Sequence, residues 1–149
     1  MNKPVWLLFL LAIPAWACCQ TQPDSVAIGK NKKAAAVQYG VASYYHNKFE
    51  NRKTANGEVF SQQKMTAACN TLPLNSWVKV TNTRNKKSVI LRINDRMHHK
   101  NKRLIDLSLA AAKQLKYTGH GLTQVKVEYL GKKKPTLKEK EDYAGIKSR

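Results

Sequence analysis

A chain of 149 residues holds one domain of about 100 residues with tails on either side. Its 27 Lys and Arg against nine Asp and Glu give a formal charge of +18, which calls for an anionic partner. The charge is scattered and no nucleic-acid motif accompanies it, which argues against a nucleic-acid reader, and three cysteines are too few for a disulfide framework.

Residues 1–17 read as a targeting segment. Lys3 supplies a short positive start, residues 5–13 are apolar, and Ala15-Trp16-Ala17 fits a small-x-small cleavage site. The apolar run falls short of the roughly 20 residues a bilayer span needs, so the protein is expected to be exported. Cleavage after Ala17 would leave Cys18 at the new amino terminus, similar to the acceptor cysteine of a bacterial lipoprotein, although Trp16 is bulky for that pattern. Two outcomes stay open: a lipid anchor on Cys18, which would hold the protein to a membrane without a transmembrane helix, or plain secretion with Cys18 and Cys19 as ordinary residues. Residues 18–36 lack periodicity and read as a linker.

The folded unit spans residues 37–130. "VQYGVASYY" (37–45) is aromatic and β-branched and predicts a strand with a bulge at Gly40. "SWVKVTNT" (76–83) alternates with period two, "RNKK" turns, and "SVILRIN" (88–94) returns, which predicts a hairpin. Residues 107–117 have helical spacing, with Ser108 as N-cap and Gly119 past the end. "VKVEYL" (125–130) supplies a last strand, and residues 131–149 form a basic, flexible tail. Several short strands with one small helix predict a mostly β fold, a compact barrel.

"LRINDRM" places Asp95 between two arginines in a chain poor in carboxylates. Taken alone, Asp95 is either half of a salt bridge to Arg92 or Arg96 or a catalytic acid. The strings around it bear on the choice: "YGVASYY", "TANGE", "TAACNTLP", "VKVTN", "INDR" and "RLIDLSLAAA", in that order from about residue 39 to 130. Together they closely resemble the rare lipoprotein A (RlpA) family of septal-ring lytic transglycosylases. The resemblance implies a six-stranded double-psi β-barrel with one or two short helices. It also implies cleavage of peptidoglycan glycan strands that lack stem peptides, with 1,6-anhydro ends. On it, Asp95 is the acid that protonates the glycosidic oxygen, and Glu58 is a second catalytic carboxylate whose charge across the groove keeps that proton available. Cys69 stands where the family usually has His, and a thiol cannot shuttle a proton as imidazole does.

Tyr44, Asn56, Asn94 and Arg96 are read as substrate-binding residues, with Tyr44, Tyr45 and Trp77 the candidates for stacking on sugar rings. Asp106 is read as a structural carboxylate binding backbone N–H groups at the helix start. Nothing in the spacing selects one of His46, His98, His99 or His120. No Cys or His spacing suggests zinc, and no metal or organic cofactor is expected. The partner is the glycan strand, with membrane attachment only through a lipidated Cys18, no nucleic acid, and a monomeric state. The rival reading is an expansin-like barrel that binds wall glycan without cutting it, because Cys69 replaces the His.

Overall fold

Six strands build the fold in the computed structural model, which describes residues 36–144: β1 (Val37–Tyr44), β2 (Thr66–Ala68), β3 (Trp77–Asn82), β4 (Ser88–Asp95), β5 (Ile105–Leu107) and β6 (Thr123–Gly131). The targeting segment, Cys18 and Cys19, nearly all of the linker and residues 145–149 lie outside the described residues. The strands close in the order β1-β5-β2-β4-β3-β6, and β6 pairs back onto β1. Two pairings, β1 with β5 and β2 with β4, are parallel, and the rest are antiparallel. Parallel partners cannot be joined by tight hairpins, so the chain crosses the barrel between them, and the double-psi β-barrel results.

The period-two patterning of β3 and β4 sends Val78, Val80, Val89 and Leu91 inward, where the register sets Val78 opposite Leu91 and Val80 opposite Val89. Ile93, Ile105, Leu107, Val125 and Val127 complete the barrel interior at no more than 1% exposure. Burying each such side chain contributes about 1.5–3 kcal/mol. Alternation fails at one place in β4, where Ile93 and Asn94 are both buried. There β2 pairs Ala67 with Ile93 but Ala68 with Asp95, so Asn94 is the extra residue of a bulge. A bulge re-aims the side chain that follows it, and that side chain is Asp95.

Three expectations are corrected. Gly40 is no bulge, since its register with β6 is regular. It is instead a site of close approach, where a Cβ would stand 2.7 Å from the Cβ of Leu104. The helix is shorter than residues 107–117: α1 covers Leu109–Gln114, Leu107 belongs to β5, and Lys116 (φ 53°) takes the left-handed position expected near Gly119. Ser108 is the N-cap, accepting from the Ala111 N–H, while the Leu109 N–H goes to Gln62 Oε1 at 2.8 Å. In the segment read as a tail, α2 forms over Leu137–Ala144.

Candidate functional site

Asp95 ends β4 at the wall of a groove of about 620 Å³, within the size range of ligand sites. Three donors hold its carboxylate. The Ala55 and Arg96 N–H groups each donate to Oδ1 at 2.8 Å, and the Tyr45 hydroxyl donates to Oδ2 at 2.7 Å. A carboxylate offers about four acceptor positions, so one remains for a substrate. Neither neighbouring arginine pairs with it: Arg92 binds Glu58, and the Arg96 guanidinium donates to the Cys69 carbonyl. Among the described residues Asp95 makes no ion pair.

Tyr45 is fixed by the sequence that follows it. Residues 46–53 turn through a short 3-10 segment (Asn47–Phe49), and the Tyr45 ring packs 5.5 Å from Phe49 and 4.4 Å from Phe60, centroid to centroid. Burial above all, then the hydrogen bond to Asp95 and its charge, push the Tyr45 phenol far above its usual value. The Tyr45 hydroxyl is therefore a donor to Asp95, and its ring, packed against Phe49 and Phe60, lines the groove.

The hairpin around "TANGE" supplies the next part. The Lys53–Val59 bridge closes it, the Gly57 N–H donates to the Thr54 carbonyl at 2.9 Å, and Gly57 sits at φ 89°, a conformation that glycine adopts without strain. The turn aims the Ala55 N–H at Asp95, but it carries Glu58 elsewhere. Glu58 Oε2 lies 2.6 Å from Arg92 and 3.4 Å from the Asn94 amide, and Glu58 does not line the groove. The hydrogen bond from Arg92 is the main cause holding its carboxyl below the ordinary value. The expectation of a free Glu58 charge facing Asp95 across the cleft is corrected: that charge is matched by Arg92.

Cys69 also lies away from the groove. Its side chain is fully buried in the core, with Sγ 3.3 Å from Thr71 Oγ1. What it offers the site is backbone: its N–H donates to the Asp95 carbonyl and its own carbonyl takes the Arg96 guanidinium. Tyr44 and Arg96, read as substrate-binding residues, line the groove. Asn56 and Asn94 do not. Asn56 bonds Thr54, Glu58 and Asn75, and Asn94 is buried against Glu58. Trp77 is half-buried on β3, outside the groove, with Lys134 Nζ 6.0 Å from its ring centroid. Asp106 caps no helix; it forms a two-point pair with Arg103 (2.8 and 2.9 Å) and lines the groove.

The remaining walls escaped notice in the sequence. Lys48, Arg52 and Lys53 edge the groove, and the first two reach over the Phe49 ring at 5.4 and 5.5 Å. His46 and His98 also line it, while His99 and His120 do not. The signal was "HNKFENRK" (46–53), cations interleaved with an aromatic ring directly after a strand. The result is a cationic, aromatic-floored cleft around one carboxylate without a cationic partner. Among the described residues no group of three His, Cys, Asp or Glu could hold a metal ion.

A family profile described as lytic transglycolase matches residues 37–127. The chain belongs to that family. It is 50% identical over 100 residues to the endolytic peptidoglycan transglycosylase RlpA of Haemophilus influenzae, covering 67% of this chain and 35% of that protein. It is 43% identical over 121 residues to the protein of that name from Neisseria meningitidis, covering 80% and 51%. The chain thus spans about a third to a half of the length of these two relatives. Solved structures share the barrel. A Streptomyces papain inhibitor matches with TM-score 0.52 at 19% identity, covering 63% of this chain and 94% of that one. A Clavibacter michiganensis expansin, solved with cellohexaose, matches with TM-score 0.52 at 16% identity, covering 68% and 52%. The lytic transglycolase fold therefore serves proteins of differing names, and its chemistry has to be argued from the groove.

Proposed function

We propose that the protein is an endolytic peptidoglycan lytic transglycosylase acting on glycan strands without stem peptides, with Asp95 as its acid and base. The observation that carries this reading is Asp95 itself: a carboxyl at the wall of a sugar-sized cleft, oriented by Tyr45, Ala55 and Arg96, with no cation bound to it. Protonated Asp95 gives its proton to the glycosidic oxygen as the C1–O bond breaks and positive charge develops at C1. The C6 hydroxyl of the same muramyl unit then closes on C1, and its proton returns to Asp95. The acid is regenerated, no water is consumed, and a 1,6-anhydro end results. One carboxyl is enough for this cycle, which suits a site where Glu58 is occupied by Arg92. Glu58 then acts through position, holding the hairpin whose Ala55 N–H grips Asp95.

Removing the stem peptides leaves free lactyl carboxylates along the strand, and the cations on the groove edge, Lys48, Arg52 and Lys53, suit that charge. The substrate lies in the cell envelope, so this reading needs export. The segment 1–17 supports it, and lipidation at Cys18 would add a membrane anchor.

A glycan-binding barrel without turnover is the second reading, favoured by the burial of Cys69 where the family usually has His. Incubation of the protein with peptide-free strands, followed by mass spectrometry of the ends, separates the two. Anhydro ends are expected. New reducing ends would mean hydrolysis, and bound but uncut strands would mean a binder.

A further inference from the structure

Across the 97–104 loop from the catalytic groove lies a second concavity of about 380 Å³, also within the range of small-molecule sites. The two share Met97, Asn101 and Arg103, so this loop is a wall common to both. The wall is braced: the Met97 N–H donates to Asn70 Oδ1 at 2.9 Å, the Arg103 N–H to Asn101 Oδ1 at 3.0 Å, and the Arg103 guanidinium is tied to Asp106. The first bond also fixes the Asn70 amide, leaving its NH₂ to donate elsewhere.

The lining of this second concavity is unlike a generic surface dip. Tyr39 is 70% exposed there, whereas Phe60 and Tyr117 are packed into the fold at 2%. Next to it stand the His99 imidazole and the Lys102 ammonium, and among the described residues no carboxylate lines the concavity and Lys102 makes no ion pair. An open aromatic face, a fixed amide donor and an uncompensated ammonium together describe a binder of rings that carry negative charge.

We propose that this concavity is a second carbohydrate subsite, which holds a carboxylate-bearing amino sugar of the same strand whose scissile bond lies over Asp95. Tyr39 is the stacking platform and Lys102 the counter-charge. The proposal deepens the transglycosylase reading and rests on it for the identity of the strand.

Calorimetry on the full chain carrying Asp95→Asn, which keeps strands uncut, provides the test. The probes are peptide-free glycan strands and chitin oligomers of equal length, which lack the lactyl carboxylates. Tyr39→Ala is expected to weaken binding of both probes about tenfold, while Tyr39→Phe keeps it. Lys102→Ala is expected to weaken the peptidoglycan strand about threefold and to leave the chitin oligomer unchanged. Both positions are exposed, and an unchanged melting temperature verifies the fold. Undiminished binding by Tyr39→Ala, or no binding of either probe by the parent, overturns the subsite. An equal effect of Lys102→Ala on both probes, or none on either, overturns the carboxylate assignment. If the chain with Asp95 intact leaves strands uncut, the cleavage reading fails, yet a Tyr39 effect on binding still supports the subsite.

Discussion

Three hydrogen bonds converge on the Asp95 carboxylate, and they differ in how easily chemistry can remove them. Two come from backbone and are fixed by the hairpin and the strand end; the third comes from the Tyr45 hydroxyl. Tyr45→Phe keeps the ring against Phe49 and Phe60 while deleting the donor. A hydrogen bond to a charged group contributes about 1.5–3 kcal/mol, so kcat on peptide-free strands should fall at least about tenfold with KM nearly unchanged. Glu58 makes a different prediction. Its carboxyl is held below the ordinary value of 4.5 in the folded state, chiefly by the Arg92 hydrogen bond. The pair therefore stabilises the fold fully above the unfolded value and loses that contribution as pH falls through the folded one. With both side chains about a third exposed (30% and 35%), the contribution stays under about 1 kcal/mol. Denaturant titrations should show Glu58→Gln less stable than the parent by that margin at pH 7 and equal to it once the carboxyl is protonated.

Among the elements, β3 and β4 were legible because period-two alternation over six to eight residues separates a strand from a helix. β2 and β5 are three residues each, too short for any period to show in the sequence. The same shortness explains the overlong helix: Leu107 fits an apolar helical stripe, yet its pairing with Tyr44 and Ala67 keeps it in the barrel. The bulge that turns Asp95 toward the groove was likewise invisible, since it depends on how β2 meets β4. Gly40 was noticed and misread, because a sequence does not reveal what faces a missing Cβ. Gly40→Ala must displace Leu104 and should cost about 1–3 kcal/mol, read as a lower melting temperature. Gly119→Ala, with open space around it, should melt with the parent.

At the scale of the whole molecule, charge and groove point the same way. Residues 39–130 carry 16 basic and five acidic side chains, a net of +11, and Lys48, Arg52 and Lys53 stand at the cleft. Attraction between exposed charges is screened over about 10 Å at 0.1 M salt and about 3 Å at 1 M. Affinity for carboxylate-bearing strands, measured by calorimetry, should fall across that range, while that for uncharged chitin oligomers should hardly move. Charge was the easiest property to read from composition, but its arrangement was not, because only the fold sets the 46–53 segment against Asp95. The "INDR" string singled out Asp95 as a candidate, whereas the burial of Cys69 and the capture of Glu58 by Arg92 required the fold. The most direct measurement is turnover by Asp95→Asn on peptide-free strands. The amide keeps an oxygen for the Ala55 and Arg96 N–H groups, so binding and melting temperature should persist while anhydro-end formation drops by about 10²-fold or more. Cleavage by Asp95→Asn at the parent rate would contradict the account.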